Sequence, residues 1–91
     1  MHFEWNTEKA KSNFEKHGVD FSETMSVFCD PLEITIADPE HSQYEQRFLS
    51  IGLSSFHWLL VVSYTERNGS IRIISARVAT TKERKNYEST H

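Results

Sequence analysis

The feature that most constrains this chain is a hairpin signal over residues 57–78. Within residues 57–65 the run Trp58-Leu59-Leu60-Val61-Val62 is apolar without a break, the mark of a central strand buried on both faces. Asn68-Gly69 follows, a dipeptide suited to a two-residue hairpin turn because both positions accept positive φ. Residues 70–78 then return as the partner strand. A central strand needs neighbours, and the rest of the chain has to supply them.

Two more strands lie upstream. Residues 32–36, Leu-Glu-Ile-Thr-Ile, alternate cleanly between apolar and polar, and residues 47–54 form the next strand. Residues 37–45 between them are polar, contain Pro39 and read as a loop. Two helices come first. One spans residues 7–17, capped by Asn6 and stopped by Gly18, with Ala10, Asn13, Phe14 and His17 as its inward stripe. The other starts at Asp20, ends before Pro31 and buries Phe21, Met25 and Phe28. Residues 2–5 read as a short extended lead-in, and Thr80 with Glu83 forms a capping box that opens a last helix. The order predicts one α+β domain over residues 1–91: two N-terminal helices, an antiparallel four-stranded meander and a C-terminal helix. Ile34, Ile36, Leu59, Val61, Ile73 and Ile74 are expected to be buried, with Phe14, Phe21 and Phe28 packing helices on the sheet and Cys29 filling the core.

Composition narrows the function. Ninety-one residues support one modest core, and the apolar run is far too short to span a bilayer. No basic segment followed by an apolar stretch opens the chain, so a soluble cytoplasmic protein is expected. A single cysteine excludes an internal disulfide framework and the common multi-cysteine zinc sites. The net charge of −3 argues against a polyanion ligand until it is divided. Residues 1–63 hold four Lys/Arg against ten Asp/Glu, and residues 64–91 hold six against three. The basic end suits a polyanion patch on an acidic body, or simply a solvated strand and helix.

Gly-rich phosphate loops, metal-ligand spacings and Gly-x-Ser-x-Gly elbows are all missing, and the five histidines are scattered. What remains is basic and phenolic. Arg47, Arg72 and Arg77 fall on strands, and Arg84 and Tyr87 stand at i, i+3 on the last helix, hence on a shared face. Strict alternation turns Arg72 and Arg77 to opposite faces of their strand unless a bulge intervenes. Arg77 ends that strand beside the start of the last helix, and helix N-termini favour anions. Cleavage of RNA suits such residues and needs no cofactor or metal. The 2′-hydroxyl is the nucleophile, arginine stabilises the extra charge on phosphorus, and His, Glu, Lys or Tyr moves protons. Plainer roles stand beside these: ion pairs for Arg47 and Arg72, a helix-end hydrogen bond for His17, packing for Tyr87.

The ordered segments Phe3-Glu4-Trp5, Lys9-Ala10 with Asn13, Lys16-His17-Gly18-Val19 and Phe28 to Pro31 form a distinctive series. Arg47, Leu60-Val61-Val62, Thr65-Glu66-Arg67, residues 71–77, Ala79-Thr80, Glu83-Arg84 and Tyr87-Glu88 continue it. Together they resemble the BrnT family of bacterial type II toxins, with Asn6 where the family usually has an aspartate. The resemblance implies a RelE-like fold and an endoribonuclease that inhibits translation and arrests growth. It also implies a ribbon-helix-helix antitoxin of the BrnA type, which carries the affinity for operator DNA, and RNA bound free or on the ribosome. On this reading Arg77, Tyr87, Arg47 and His17 are the expected catalytic residues, and Arg72, Arg84 and Lys82 are expected to bind RNA. The alternative is a non-catalytic module of the same fold that binds a protein or RNA.

Overall fold

The computed structural model describes residues 1–90. Its elements are β1 (His2–Glu4), α1 (Thr7–His17), α2 (Phe21–Thr24), a 3₁₀ turn (Met25–Cys29), β2 (Ile34–Ala37), a second 3₁₀ turn (Pro39–His41), β3 (Arg47–Leu53), β4 (Leu59–Arg67), β5 (Ser70–Val78) and α3 (Thr81–Ser89). The class is α+β, as expected, but the sheet has five strands in the order β1-β5-β4-β3-β2 and is mixed. Residues 2–4, read as a lead-in, pair parallel with β5, from His2 opposite Ser70 to Glu4 opposite Arg72. Three residues are too few for alternation to register. The remaining pairs are the expected antiparallel meander, and Asn68 and Gly69 turn it with φ of 51° and 81°.

The second N-terminal helix is also corrected. It lasts one turn, four residues, before tightening into the 3₁₀ segment. The Ser26 hydroxyl donates back to the Glu23 carbonyl at 2.7 Å, the local bonding through which Ser competes with helix propagation. The tightened turn lies flat on β3. A Cβ on Gly52 would stand 2.8 Å from Val27 Cγ1 and 3.1 Å from the Val27 carbonyl oxygen, so only glycine allows the approach.

α1 and α2 cover one face of the sheet. Phe21, Val27, Leu60, Val62 and Ile73 form a closed core there, edged by Phe3, Trp5, Phe28 and Phe48. α1 touches it differently from its predicted stripe. Phe14 is 55% exposed, and Asn13 is the buried residue. Beyond Arg72, where β1 ends, the Asn13 amide takes over the pairing of β5. It donates to the Ala76 carbonyl at 2.9 Å and accepts from the Ala76 N–H at 3.0 Å. A buried asparagine thus finishes a strand edge that would otherwise lack partners.

The opposite face is only partly covered. α3 packs Tyr87 over Ile51, Leu59 and Val61, and the buried apolar cluster of this face goes no further, although the polar Thr65 beyond it is also buried. Ile36, expected in the core, is 48% exposed, Ile34 and Ile74 are half-buried, Met25 is exposed, and Cys29 is exposed rather than a core filler. No helix among the described residues is long and apolar enough to cross a membrane.

Candidate functional site

The register decides which arginines share a face. Ser63 pairs with Ser75 and Tyr64 with Ile73, so Ile74 is an extra residue, a β-bulge, and the alternation of β5 shifts there. Arg72 then lies opposite Thr65 and Arg77 opposite Val61, two positions on the same side of β4. Arg47 pairs with Thr65 from the other flank, so all three arginines point to the α3 side. The face expected to divide them unites them.

Across that face Arg47, Thr65 and Arg72 form one cross-strand row, with Glu4 next in line. Arg47 and Arg72 are two strands apart, roughly 10 Å between Cα atoms. Arg77 stands two rows further on, roughly 13 Å along the strand. The three differ most in what already holds them. Arg77 donates from Nη1 and Nη2 to the two oxygens of Glu83 at 2.7 and 2.9 Å. Glu83 also accepts from the Thr80 N–H at 2.8 Å and completes the capping box. The anion expected at the start of the last helix is therefore a side chain of that helix. The bond from Arg77 holds the Glu83 carboxyl down at about 2, and Glu83 in turn raises the Arg77 guanidinium. Arg72 sits 3.6 Å from Glu4, a loose contact. Arg47 has no acidic partner among the described residues, and its Nε is buried without a hydrogen bond.

α3 turns Glu83 and Tyr87, one turn apart, toward the body, while Lys82 and Arg84 are exposed. Arg84 and Tyr87, expected on one face, are thus divided between solvent and sheet. The Tyr87 hydroxyl donates to Asp30 Oδ2 at 2.6 Å. Burial and the Asp30 carboxylate push its phenol up to about 12. The same Asp30 oxygen accepts from the Leu53 N–H at 2.7 Å, and Oδ1 accepts from the Leu32 N–H at 2.9 Å. Asp30 therefore ties three segments together.

His17 lies on the other side of the sheet. It lines a cavity of about 230 Å³ with Val19, Glu23, Trp58, Leu60 and Val78. The structure thus sets Arg47, Arg72 and Arg77 on one face of the sheet, leaves Lys82 and Arg84 exposed on α3, and puts His17 on the other side. Asp30 and Glu83 were not singled out as partners of Tyr87 and Arg77. For Asp30 the sequence signals are its place before Pro31, which starts a turn, and its membership of the Phe28 to Pro31 segment that carries the family resemblance.

A five-stranded mixed sheet, covered by α1 and α2 on one face and only in part by α3 on the other, where the three arginines stand, defines a small α+β protein. Residues 5–83 match the family described as ribonuclease toxin, BrnT, of type II toxin-antitoxin systems, and the chain belongs to that family. Membership implies an antitoxin as partner. Among solved structures the chain is similar to the Brucella abortus ribonuclease toxin BrnT, with 21% identity and a TM-score of 0.66. That likeness covers 89% of this chain and 99% of the other, and at this identity it speaks for the fold. A comparison with curated proteins returns no match.

Proposed function

We propose that this chain is a metal-independent endoribonuclease of the bacterial cytoplasm that cuts RNA and inhibits translation. The substrate's own 2′-hydroxyl attacks the adjacent phosphate. Arg47 and Arg72 hold that phosphate, and Arg77, Lys82 and Arg84 follow the RNA backbone toward α3. One observation carries the reading: the bulge at Ile74 sets Arg72 and Arg77 on one partly open face, the face that also carries Arg47. Guanidinium groups suit the role because they bind phosphate oxygens bidentately and keep their charge at any working pH. Within that face Arg47 has no acidic partner among the described residues, whereas Arg72 touches Glu4 and Arg77 is held by Glu83. Tyr87, whose proton is committed to Asp30, holds α3 against the sheet, and His17 on the far side takes no part in the reaction.

The antitoxin is of the BrnA type, with a ribbon-helix-helix part, and operator DNA is bound through it alone. The test is direct. Purified protein is incubated with RNA, with and without ribosomes and with a chelator present, alongside expression in bacteria with and without the antitoxin. Cleavage and antitoxin-reversible growth arrest support the reading, and intact RNA in every condition with no arrest overturns it. A second reading has its own observation. Arg77 is fully paired with Glu83 and Arg72 touches Glu4, which also suits a non-catalytic module that meets a protein or RNA.

A further inference from the structure

The Arg47 end of the open face adjoins a cleft that the preceding argument leaves unused. It measures about 290 Å³ and is lined by Glu40, His41, Gln43, Tyr44, Glu45 and Arg47, mostly from the segment between β2 and β3. His41 Nδ1 lies 2.9 Å from Asp38 Oδ2. A carboxylate can only accept, so Nδ1 is the donor, and this is the tautomer whose free lone pair stands on Nε2. The ring is held from behind and its side chain is 62% exposed. Of the two carboxylates in the lining, Glu45 is paired with Arg67 by hydrogen bonds of 3.0 and 3.1 Å, and Glu40 is exposed to solvent, which screens its charge. Arg47 lines the same cleft and has no acidic partner among the described residues, and its Nε, shut off from solvent, has no hydrogen bond. One cleft therefore brings together an oriented imidazole and an arginine.

We infer that His41, oriented by Asp38, is the proton acceptor of the ribonuclease reaction and that the scissile phosphate sits between it and Arg47. The inference rests on the ribonuclease reading above. In the step, His41 Nε2 takes the proton of the 2′-hydroxyl while that oxygen forms its bond to phosphorus. The bond from phosphorus to the 5′-oxygen breaks, and this oxygen takes a proton from water, which reaches so exposed a cleft. The products are a 2′,3′-cyclic phosphate and a 5′-hydroxyl, and the imidazolium then returns its proton to solvent. Asp38 is a positioning residue, since it reaches the substrate only through the ring.

The experiment measures single-turnover cleavage of an RNA oligonucleotide by the full chain and its variants, with RNA affinity measured separately. His41→Ala and His41→Gln are expected to cut at least ~100-fold more slowly, the low end of what a positioned base contributes, with RNA affinity unchanged. Added imidazole is expected to restore part of the His41→Ala rate in proportion to its concentration. Asp38→Asn is expected to lower kcat without raising KM, and Asp38→Glu to recover part of the loss. Either His41 variant cutting at the wild-type rate overturns the inference and leaves the ribonuclease reading standing. So does a rate loss matched by an equal loss of RNA affinity and untouched by imidazole, which makes His41 a binding residue. A wild-type chain that cuts no RNA overturns both.

Discussion

Under α1 and α2, Phe21, Val27, Leu60, Val62 and Ile73 are each almost fully buried, whereas under α3 the buried apolar residues are only Ile51, Leu59 and Val61, with the polar Thr65 buried beyond them. Around Thr65 the second face shows Arg47, Ser63, Arg72 and Ser75, all half-buried. The difference follows from the covering elements. α1 presents Ala10 and Asn13 and is followed by two further turns that carry Phe21 and Val27. α3 has nine residues, none of them buried, and reaches the sheet through Tyr87 and the Glu83–Arg77 pair. A closed face supplies stability and can leave the other face polar. Charged groups on a partly wet face keep much of their hydration, so three arginines there cost little, where in the closed core they would each need a partner.

The largest contrast is expected in stability. Phe21→Ala removes a fully buried ring and should cost about 3–5 kcal/mol, read as a lower denaturant midpoint at constant m-value. Ile36→Ala on the other face removes a side chain that is 48% exposed and should cost well under 1 kcal/mol. Equal losses would mean that the second face is covered in solution and would break the comparison.

In activity the contrast should reverse. Arg47→Ala is expected to melt like the wild type and to cleave RNA about 100- to 1000-fold more slowly, the effect of losing one donor to developing charge, about 2.7–4 kcal/mol of barrier. Arg77→Ala should lose less, because both terminal nitrogens of Arg77 already serve Glu83. A folded Arg47→Ala protein with full activity would move the site off this row. Gly52→Ala tests the closed face again at smaller scale. The added methyl meets Val27 at 2.8 Å, and the overpacking should cost about 1–3 kcal/mol with the sheet intact.

How far the sequence leads depends on the range of each interaction. The caps at Asn6 and Thr80, the turn at Asn68-Gly69 and the bounds of α1 and β5 are local, and all are legible. β1 is not, because a three-residue parallel strand is defined by its partner some 68 residues away. The bulge at Ile74 is hidden for a related reason. Ser70 to Val78 alternates convincingly on its own, and only the register against β4 reveals the extra residue. That single residue decides whether Arg72 and Arg77 share a face, so the candidate site turns on the least legible feature of the sheet. Arg47, Arg72 and Arg77 could be named as residues, but their grouping could not. Asn13 shows the reverse error: its place in the apolar stripe was visible, and its use as a substitute strand partner was not.

The smallest expected effect concerns the link between the two kinds of surface, the Arg77–Glu83 pair that fastens α3 to β5. The Glu83 carboxyl is held at about 2 in the fold, below its ordinary value near 4.5, chiefly by the hydrogen bond from Arg77. A carboxylate lowered on folding contributes stability that is present above its unfolded value and lost as pH falls through the folded one. The window is therefore pH 4.5 down to about 2. The Arg77 side chain is 40% exposed, so solvent screening reduces the contribution to about 1 kcal/mol or less. Glu83→Gln should melt slightly below the wild type at neutral pH, and the difference should close as pH falls through that window. A gap that persists at pH 2 would mean that Glu83 acts through packing or the cap rather than through its charge. The same variant loosens Arg77 from α3, so RNA affinity at neutral pH should rise if that guanidinium contacts the backbone. A modest gain in affinity with a small loss of stability would show α3 holding back a phosphate ligand, and an unchanged affinity would confine Arg77 to structure.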